Sequence, residues 1–480
     1  MRADHPTQRD AAQCATVGGV TDAAVSGVPD EDTIFGWIAT VFERGVRRPG
    51  YPADAWAEQW CAERFRELGL ARVRLEPVEV ARWEATDWSL EVADAAGSTT
   101  RVPCYPLPHA APAAGLELDL AAWRGDDPAA VAGRAALYDV TLLRFPAEVL
   151  LAAGSAPAGL AGRAVDAGGT LGREHVLPFG IEIQAVMEPA MAAGAAAFVG
   201  VLNGYPGDSH EYYVPYDALE RPIPGVWVSG SAGARLHDLL DAAAGPVRVR
   251  LTVASERRMV TSHNVVGELA GADDEVVMIG SHHDGPWSSA VEDGSGIALV
   301  LAQAATWAAV PPPRRPHRLV FVLQGGHMAG GAGLRAYIEA HRAELAQVVL
   351  ELHLEHAALE VDGGGGPTGL PVPRWWFTSR NPTLEAAVAG ALATERLDRS
   401  MILAPDALGE HPPTDGGFYH LEGVPLVNFL AAPHYLFDSM DTLDKIDRDH
   451  LVPLTRAAAR IVASTGGISA AAMRAGIVSP

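Results

Sequence analysis

From Asp32 the chain places Ile34, Phe35, Ile38, Val41 and Phe42 at the spacing of one buried helix face. A turn at Arg48-Pro49-Gly50-Tyr51-Pro52 leads to a second helical stretch, Ala55 to Leu68, which Gly69 stops. The period then changes, and Arg72 to Val80 alternates apolar and polar residues as a half-buried strand does. Ahead of these elements, residues 1–30 are small, polar and aperiodic, which predicts a mobile tail.

Residues 98–254 have a different texture, rich in Gly, Ala and Pro and broken into short β-like pieces such as Arg134 to Val140 and Gly225 to Val228. Met187 to Asn203 reads as a helix running through Gly194 into a strand. Tyr212, Tyr213 and Tyr216 fall on a predicted loop, a setting for binding residues and for plain surface turns alike. From Met259 onward strands and helices alternate. Thr261–Leu269 and Val276–Ile279 read as strands, Gly296–Ala308 as a helix closed by three prolines, and Arg318–Leu323 as a strand. Helix Gly333–Glu344, strand Val348–Leu354, a strand–helix pair over Trp375–Thr394, strand Leu426–Leu430 and helix His450–Ala463 follow. This βα rhythm predicts an α/β fold with a doubly wound sheet flanked by helices.

Composition narrows the function classes. A chain of 480 residues predicts two or three domains. The net charge of −23 argues against nucleic acid or an anionic membrane surface as partner. Cys14, Cys61 and Cys104 are isolated, so neither a disulfide framework nor a cysteine zinc knuckle is expected. The sequence shows no apolar run long enough to span a bilayer and no signal-like start, which leaves a cytoplasmic protein as the expectation.

The chemistry concentrates between Val276 and Val300. The apolar run ends in Gly280-Ser281, followed by His282, His283 and Asp284, a Gly/Pro/Ser loop, the acids Glu292 and Asp293, and the helix opening at Gly294-Ser295-Gly296. Imidazoles and carboxylates at the C-terminal lip of a parallel strand lie where open α/β sheets place ligands, and they are a donor set that suits zinc.

Five stretches together resemble the M28 metallopeptidase family of aminopeptidases and glutamate carboxypeptidase-like enzymes. They are SHNVVGELAG at 262–271, GSHHD at 280–284, EDGSG at 292–296, FVLQGGHMAGGAGLRAY at 321–337, and GVP at 423–425 with DTLDKID at 441–447. The 190–203 stretch with RPIPGVWVS and the following helix resembles a protease-associated domain, a β-rich insert that shapes substrate access. The resemblance implies a discontinuous catalytic domain, residues 31–97 and 255–475, around an insert at 98–254. It also makes a homodimer an expectation.

The family's two ions, bridged by one Asp with a Glu as base, carry over only in part. The resemblance places His282 as the first ligand, Asp284 as its companion, Glu292 at the bridging position and Glu355 at the next carboxylate ligand. The Glu–Glu pair falls on His327 and Met328, and the last His ligand falls on Phe437. One divalent ion, zinc by the donor set, held by His282, Glu292 and Glu355 is therefore expected, with His327 as acid/base. His283, Asp293, His356, His434 and Asp415 are further candidates. Strand alternation puts Glu351, His353 and Glu355 on one face, and for His353 and His434 a hydrogen-bonded structural role is expected. The functional expectation is a metal-dependent hydrolase of amide or peptide-like bonds in a small substrate. A non-hydrolytic cyclase, lyase or isomerase on the same scaffold, and a ligand-binding pseudo-peptidase, are the alternatives.

Overall fold

The apolar run at Val276 becomes the strand Val276–His282, buried at every position, inside one mixed sheet of 15 strands among the described residues. The computed structural model describes residues 19–93, 97–125, 127–141, 144–153, 162–171, 174–176 and 181–478. Strands Arg318–Gln324 and Val348–Leu354 flank Val276–His282 in parallel, with His282 opposite Gln324 and Gly280 opposite His353. Leu426–Ala431 extends the parallel set and Arg374–Thr378 adds an antiparallel neighbour. Val277 and Ile279 share a core with helix Gly296–Ala308, whereas Val276 and Met278 pack with Leu334, Tyr337 and Ile338 of helix Ala332–His341. Both faces of the sheet are thus covered, which is why this strand reads as a continuous apolar run.

Two long antiparallel strands, Ala71–Ala93 and Arg248–Leu269, join the two textures of the sequence. The first half of Arg248–Leu269 also pairs with Ala113–Ala122 of the insert, and its last residues pair with Arg318–Gln324. The insert's strands continue the same sheet, with Ala135–Thr141, Ala197–Asn203 and Gly225–Ser229 in parallel beneath helix Gly230–Ala242 and a separate apolar cluster. The expected boundaries near 98 and 254 therefore sit on a shared ladder, where Ala254 still pairs with Asp87.

Most predicted elements lie within a few residues of their observed positions, and the strand Val348–Leu354 and the helix Gly296–Ala308 match end to end. The tail is a correction. Residues 19–26 are helical, Ala24 is fully buried, and an Arg314 guanidinium donates to the Gly19 carbonyl at 2.6 Å. Val20, Ala23 and Ala24 are spaced to pack against the core, which a search dominated by small polar residues overlooks. Residues 1–18 lie outside the described residues. The tyrosines 212 and 213 are also buried and do not sit on a surface turn. Cys61 and Cys104 are buried free thiols, and among the described residues no helix is long and apolar enough to cross a membrane.

Candidate active site

At the lip of the Val276–His282 strand, pleating sends consecutive imidazoles to opposite sides. His282 is fully buried, and its Nδ1–H donates to the backbone carbonyl of Asp284 at 2.9 Å. The Asp284 carboxylate does something else: it accepts from the backbone N–H groups of His327 at 3.0 Å and Met328 at 2.7 Å. The expected companion of His282 thus acts on it through its carbonyl, while its side chain fixes the turn that presents His327.

Glu292 is set by the 441–447 motif. The Asp441 carboxylate accepts from the N–H of Val291 at 2.7 Å and of Glu292 at 2.8 Å. Asp293 caps the next helix by accepting from Gly296 N–H at 2.8 Å and from the Ser281 hydroxyl. Held this way, Glu292 places Oε2 2.6 Å from His356 Nε2, and Oε1 3.4 Å from His282 Nε2 and 3.7 Å from His327 Nε2. His356 ends the neighbouring strand in a left-handed conformation, φ 61°, and its Nδ1–H donates to the Ala431 carbonyl at 2.8 Å.

The donor atoms that converge here have outer partners in the backbone and face one another inward. Glu292 Oε1 and Oε2, His282 Nε2 and His356 Nε2 are buried and meet no backbone or hydroxyl group, the closest contact among them being the 2.6 Å ion pair of Glu292 Oε2 with His356 Nε2. Each histidine meanwhile spends its other nitrogen on a backbone carbonyl, the arrangement that fixes a ligating tautomer. The sets His282–Glu292–His327 and His282–Asp293–His356 each bring their ligand atoms within 4.8 Å of one another. Imidazole and carboxylate are the donors zinc takes, so the residues present fit a divalent ion.

The expected set is brought together only in part. Glu355 Oε1 lies 3.0 Å from His353 Nε2, and Glu351 Oε1 lies 2.9 Å from His353 Nδ1. The predicted shared face is therefore real, and His353 is the structural residue expected, clamped between two carboxylates. Glu355 thus has His353 as its close partner, while His356 makes the shortest contact with Glu292 at the bridging position.

His327 connects this buried cluster to open space. Its Nδ1 pairs with Asp415 Oδ1 at 2.8 Å, and its ring stacks on His282 at 4.0 Å with an interplanar angle of 9°. Its side chain keeps 12% of its surface exposed, against 0% for His282 and 1% for Glu292. That exposure opens on a cavity of about 210 Å³ lined by Tyr216, Asp217, Pro413, Asp415 and Phe418. Asp415 Oδ2 is buried there without a hydrogen bond.

His283 points the other way. Its Nδ1 lies 3.0 Å from Asp54 Oδ1 and its Nε2 lies 2.9 Å from the His263 carbonyl. Asp54 and Glu58, one turn apart on helix Pro52–Glu67, complete this second cluster. Asp54 Oδ2 accepts from Gly50 N–H at 2.7 Å, while Glu58 accepts from the Ser262 hydroxyl at 2.8 Å and from His263 N–H at 2.9 Å. His434 belongs to neither cluster; it sits edge-on to Tyr205 and Tyr435.

Charge reinforces the arrangement. Burial would raise the Glu292 carboxyl, but His356 and His282 outweigh it and hold it well below the usual range. Burial would lower the His356 and His327 rings; Glu292 in one case and Asp415 in the other outweigh it and lift each to about 10. Asp415, raised by burial and lowered more strongly by His327, falls to about 2. Burial, with a smaller push from Arg144, takes His434 down to about 4.

The sequence offers His356 as a candidate without fixing its direction, because a strand period cannot show the left-handed residue that follows the strand. Asp54 and Glu58 are functional-site neighbours that the sequence does not single out: they are two acids four apart on a helix whose other face is also charged, at Glu63, Arg64, Arg66 and Glu67.

Residues 264–462 match the model of peptidase family M28. A peptidase M28 precursor from Shewanella amazonensis SB2B superposes with a TM-score of 0.69 at 20% identity, covering 95% of this chain and 98% of that one. BSAP, a zinc aminopeptidase from Bacillus subtilis, gives 0.64 at 17% identity, covering 91% and 95%. An aminopeptidase from Aneurinibacillus sp. strain AM-1 gives 0.63 at 17% identity, covering 92% and 95%. These likenesses establish the fold. No curated protein matched.

Proposed function

Taking residues 264–462 as a peptidase family M28 domain, we propose that this protein is a metallopeptidase-like hydrolase that cleaves an amide or peptide-like bond in a small substrate. One observation carries the reading: the buried inner atoms of His282, Glu292 and His356 converge on one another, with no backbone or hydroxyl partner, while Nδ1 of each histidine is tied to a backbone carbonyl.

In this reading His282, Glu292 and His356 hold one divalent ion, zinc by its donors, and Glu355 stands behind them on His353. Such an ion supplies Lewis acidity to a carbonyl and to water. The chain supplies the rest. His327 Nε2 faces Glu292 Oε1 across 3.7 Å and is the one imidazole nitrogen of this set beside the cavity, so it carries the proton between water and the leaving group. Asp415 orients that ring from Nδ1, as an acid behind a catalytic histidine does, and Asp284 fixes the backbone beneath it. A substrate N–H beside the scissile carbonyl would satisfy Asp415 Oδ2. The cavity accommodates one side chain of moderate size, which favours small substrates.

The test is elemental analysis of the purified protein, followed by mass spectrometry of products from a panel of aminoacyl anilides and dipeptides. Near one zinc per chain and products that gain the mass of water are expected. Product formed without that gain points to the cyclase, lyase or isomerase alternative. Protein that neither retains zinc nor turns over any amide defeats the proposal.

A further inference from the structure

The loop from Tyr212 to Asp217 belongs to the insert, yet it is fastened to the catalytic half at both ends. Tyr212 bridges to Asp438, and Tyr213 N–H donates to the Phe437 carbonyl at 2.8 Å. At the other end Gly330 N–H, three residues past His327, donates to the Tyr216 carbonyl at 2.8 Å. That approach requires glycine: Gly330 has φ 70°, and a Cβ there would meet the Asp217 carbonyl oxygen at 2.8 Å. Asp217 is itself locked to Arg221 at 2.8 Å.

The result is a column of rings. His282 stacks on His327; His327 faces Tyr216 at 5.4 Å with an interplanar angle of 23°; Tyr216 leans on Phe437 at 4.9 Å and 33°. Phe437 and Met328 are the positions at which the resemblance expected ligands of a second ion. Both are buried here, and Phe437 instead backs the ring that covers His327.

We propose that Tyr216 is a positioning residue, through which the insert clamps the His327 imidazole against His282 and keeps its Nε2 aimed at Glu292. This rests on the reading of His327 as the proton carrier. Asp415 restrains one edge of the ring, but an edge contact leaves rotation about that bond open; the two faces are closed by His282 and Tyr216. The phenolic oxygen is not needed for this, since the contact is made by the ring.

The full-length, zinc-loaded protein is compared with Tyr216→Ala, Tyr216→Leu and Tyr216→Phe. Two readouts are taken: the His327 Hε1 resonance, assigned by its loss in His327→Gln, and kcat and KM on the amide that the panel identifies. In Tyr216→Ala and Tyr216→Leu the Hε1 signal moves downfield and broadens, and kcat falls about ten- to a hundredfold, the cost of a misplaced reacting group. Zinc content and melting temperature control for folding, and Tyr216→Leu keeps the space filled should Tyr216→Ala unfold. Tyr216→Phe restores both the shift and most of kcat. An unmoved Hε1 signal in Tyr216→Leu, or a loss confined to KM, overturns the proposal. A Tyr216→Phe variant as slow as Tyr216→Ala overturns it too, since the hydroxyl would then be the active part. Absence of turnover in the wild type would sink the hydrolase reading alone, because the resonance still decides whether Tyr216 holds the ring.

Discussion

His282 and His283 are neighbours in one strand, yet they feed two buried clusters of the same composition that are built for different ends. Around His282 the carboxylate of Glu292 accepts no hydrogen bond from a backbone or hydroxyl donor, and the inward nitrogens of His282 and His356 face only that carboxylate and the acids beside it. Around His283, Asp54 Oδ2 and Glu58 are met by Gly50 N–H, Ser262 Oγ–H and His263 N–H and His283 Nε2 by the His263 carbonyl, which leaves only Asp54 Oδ1 and His283 Nδ1 facing each other, at 3.0 Å. Residue types do not separate a ligand set from a structural ion-pair network. What separates them is how much of the carboxylate capacity is spent on backbone and hydroxyl groups.

The largest expected effect that could break this contrast comes from the ligands. His282→Gln and His356→Gln should each lose the zinc and abolish turnover, while Glu355→Gln keeps zinc and loses at most about ten- to a hundredfold, as a residue behind the ligands does. Retention of zinc by His356→Gln together with its loss in Glu355→Gln would return the set to the one the sequence suggested. Next in size, His327→Gln should keep its zinc and lower kcat by about 10²–10⁴-fold, the range of a lost proton carrier. Loss of zinc in that variant would make His327 a ligand.

The second cluster answers to a different measurement. Asp54→Asn leaves the His283 imidazolium buried beside a neutral group, and about 3–5 kcal/mol of unfolding free energy should go, read by urea denaturation, with zinc content unchanged. A zinc loss there would collapse the distinction between the two sites. The smallest effect is in pH. In the ion-free protein the His356 ring is lifted to about 10, so it still carries a proton at neutral pH that ion uptake must displace. Apparent zinc affinity should therefore climb with pH between 6 and 9, by about tenfold per unit for each proton released, as calorimetry in buffers of differing ionisation enthalpy would count.

Much of the fold was legible because both faces of the central strands are covered, which gives apolar runs and helical periods clear enough to place. The site was legible at His282, Glu292, His327 and Asp415, where short motifs and strand ends coincide. Three things were not. The turn of His356 depends on one left-handed residue after a strand. The pairing of Glu355 with His353 follows from a shared face that strand alternation reveals but cannot rank against a metal. Tyr216 arrives from more than a hundred residues before His327 in the chain, and no local pattern reports such a meeting.

The paired strands Ala71–Ala93 and Arg248–Leu269 give that meeting a mechanical setting. Where a flexible tether joins two units, its length decides how far one wanders; here a twisted hydrogen-bonded ladder plays that part. Arg257 on that ladder pairs with Glu220, just past the loop bearing Tyr216, and the ladder's Val265–Leu269 end pairs with Leu319–Leu323, ahead of the turn carrying His327. One hydrogen-bonded frame thus runs from beside the loop to the strand beneath the reaction centre.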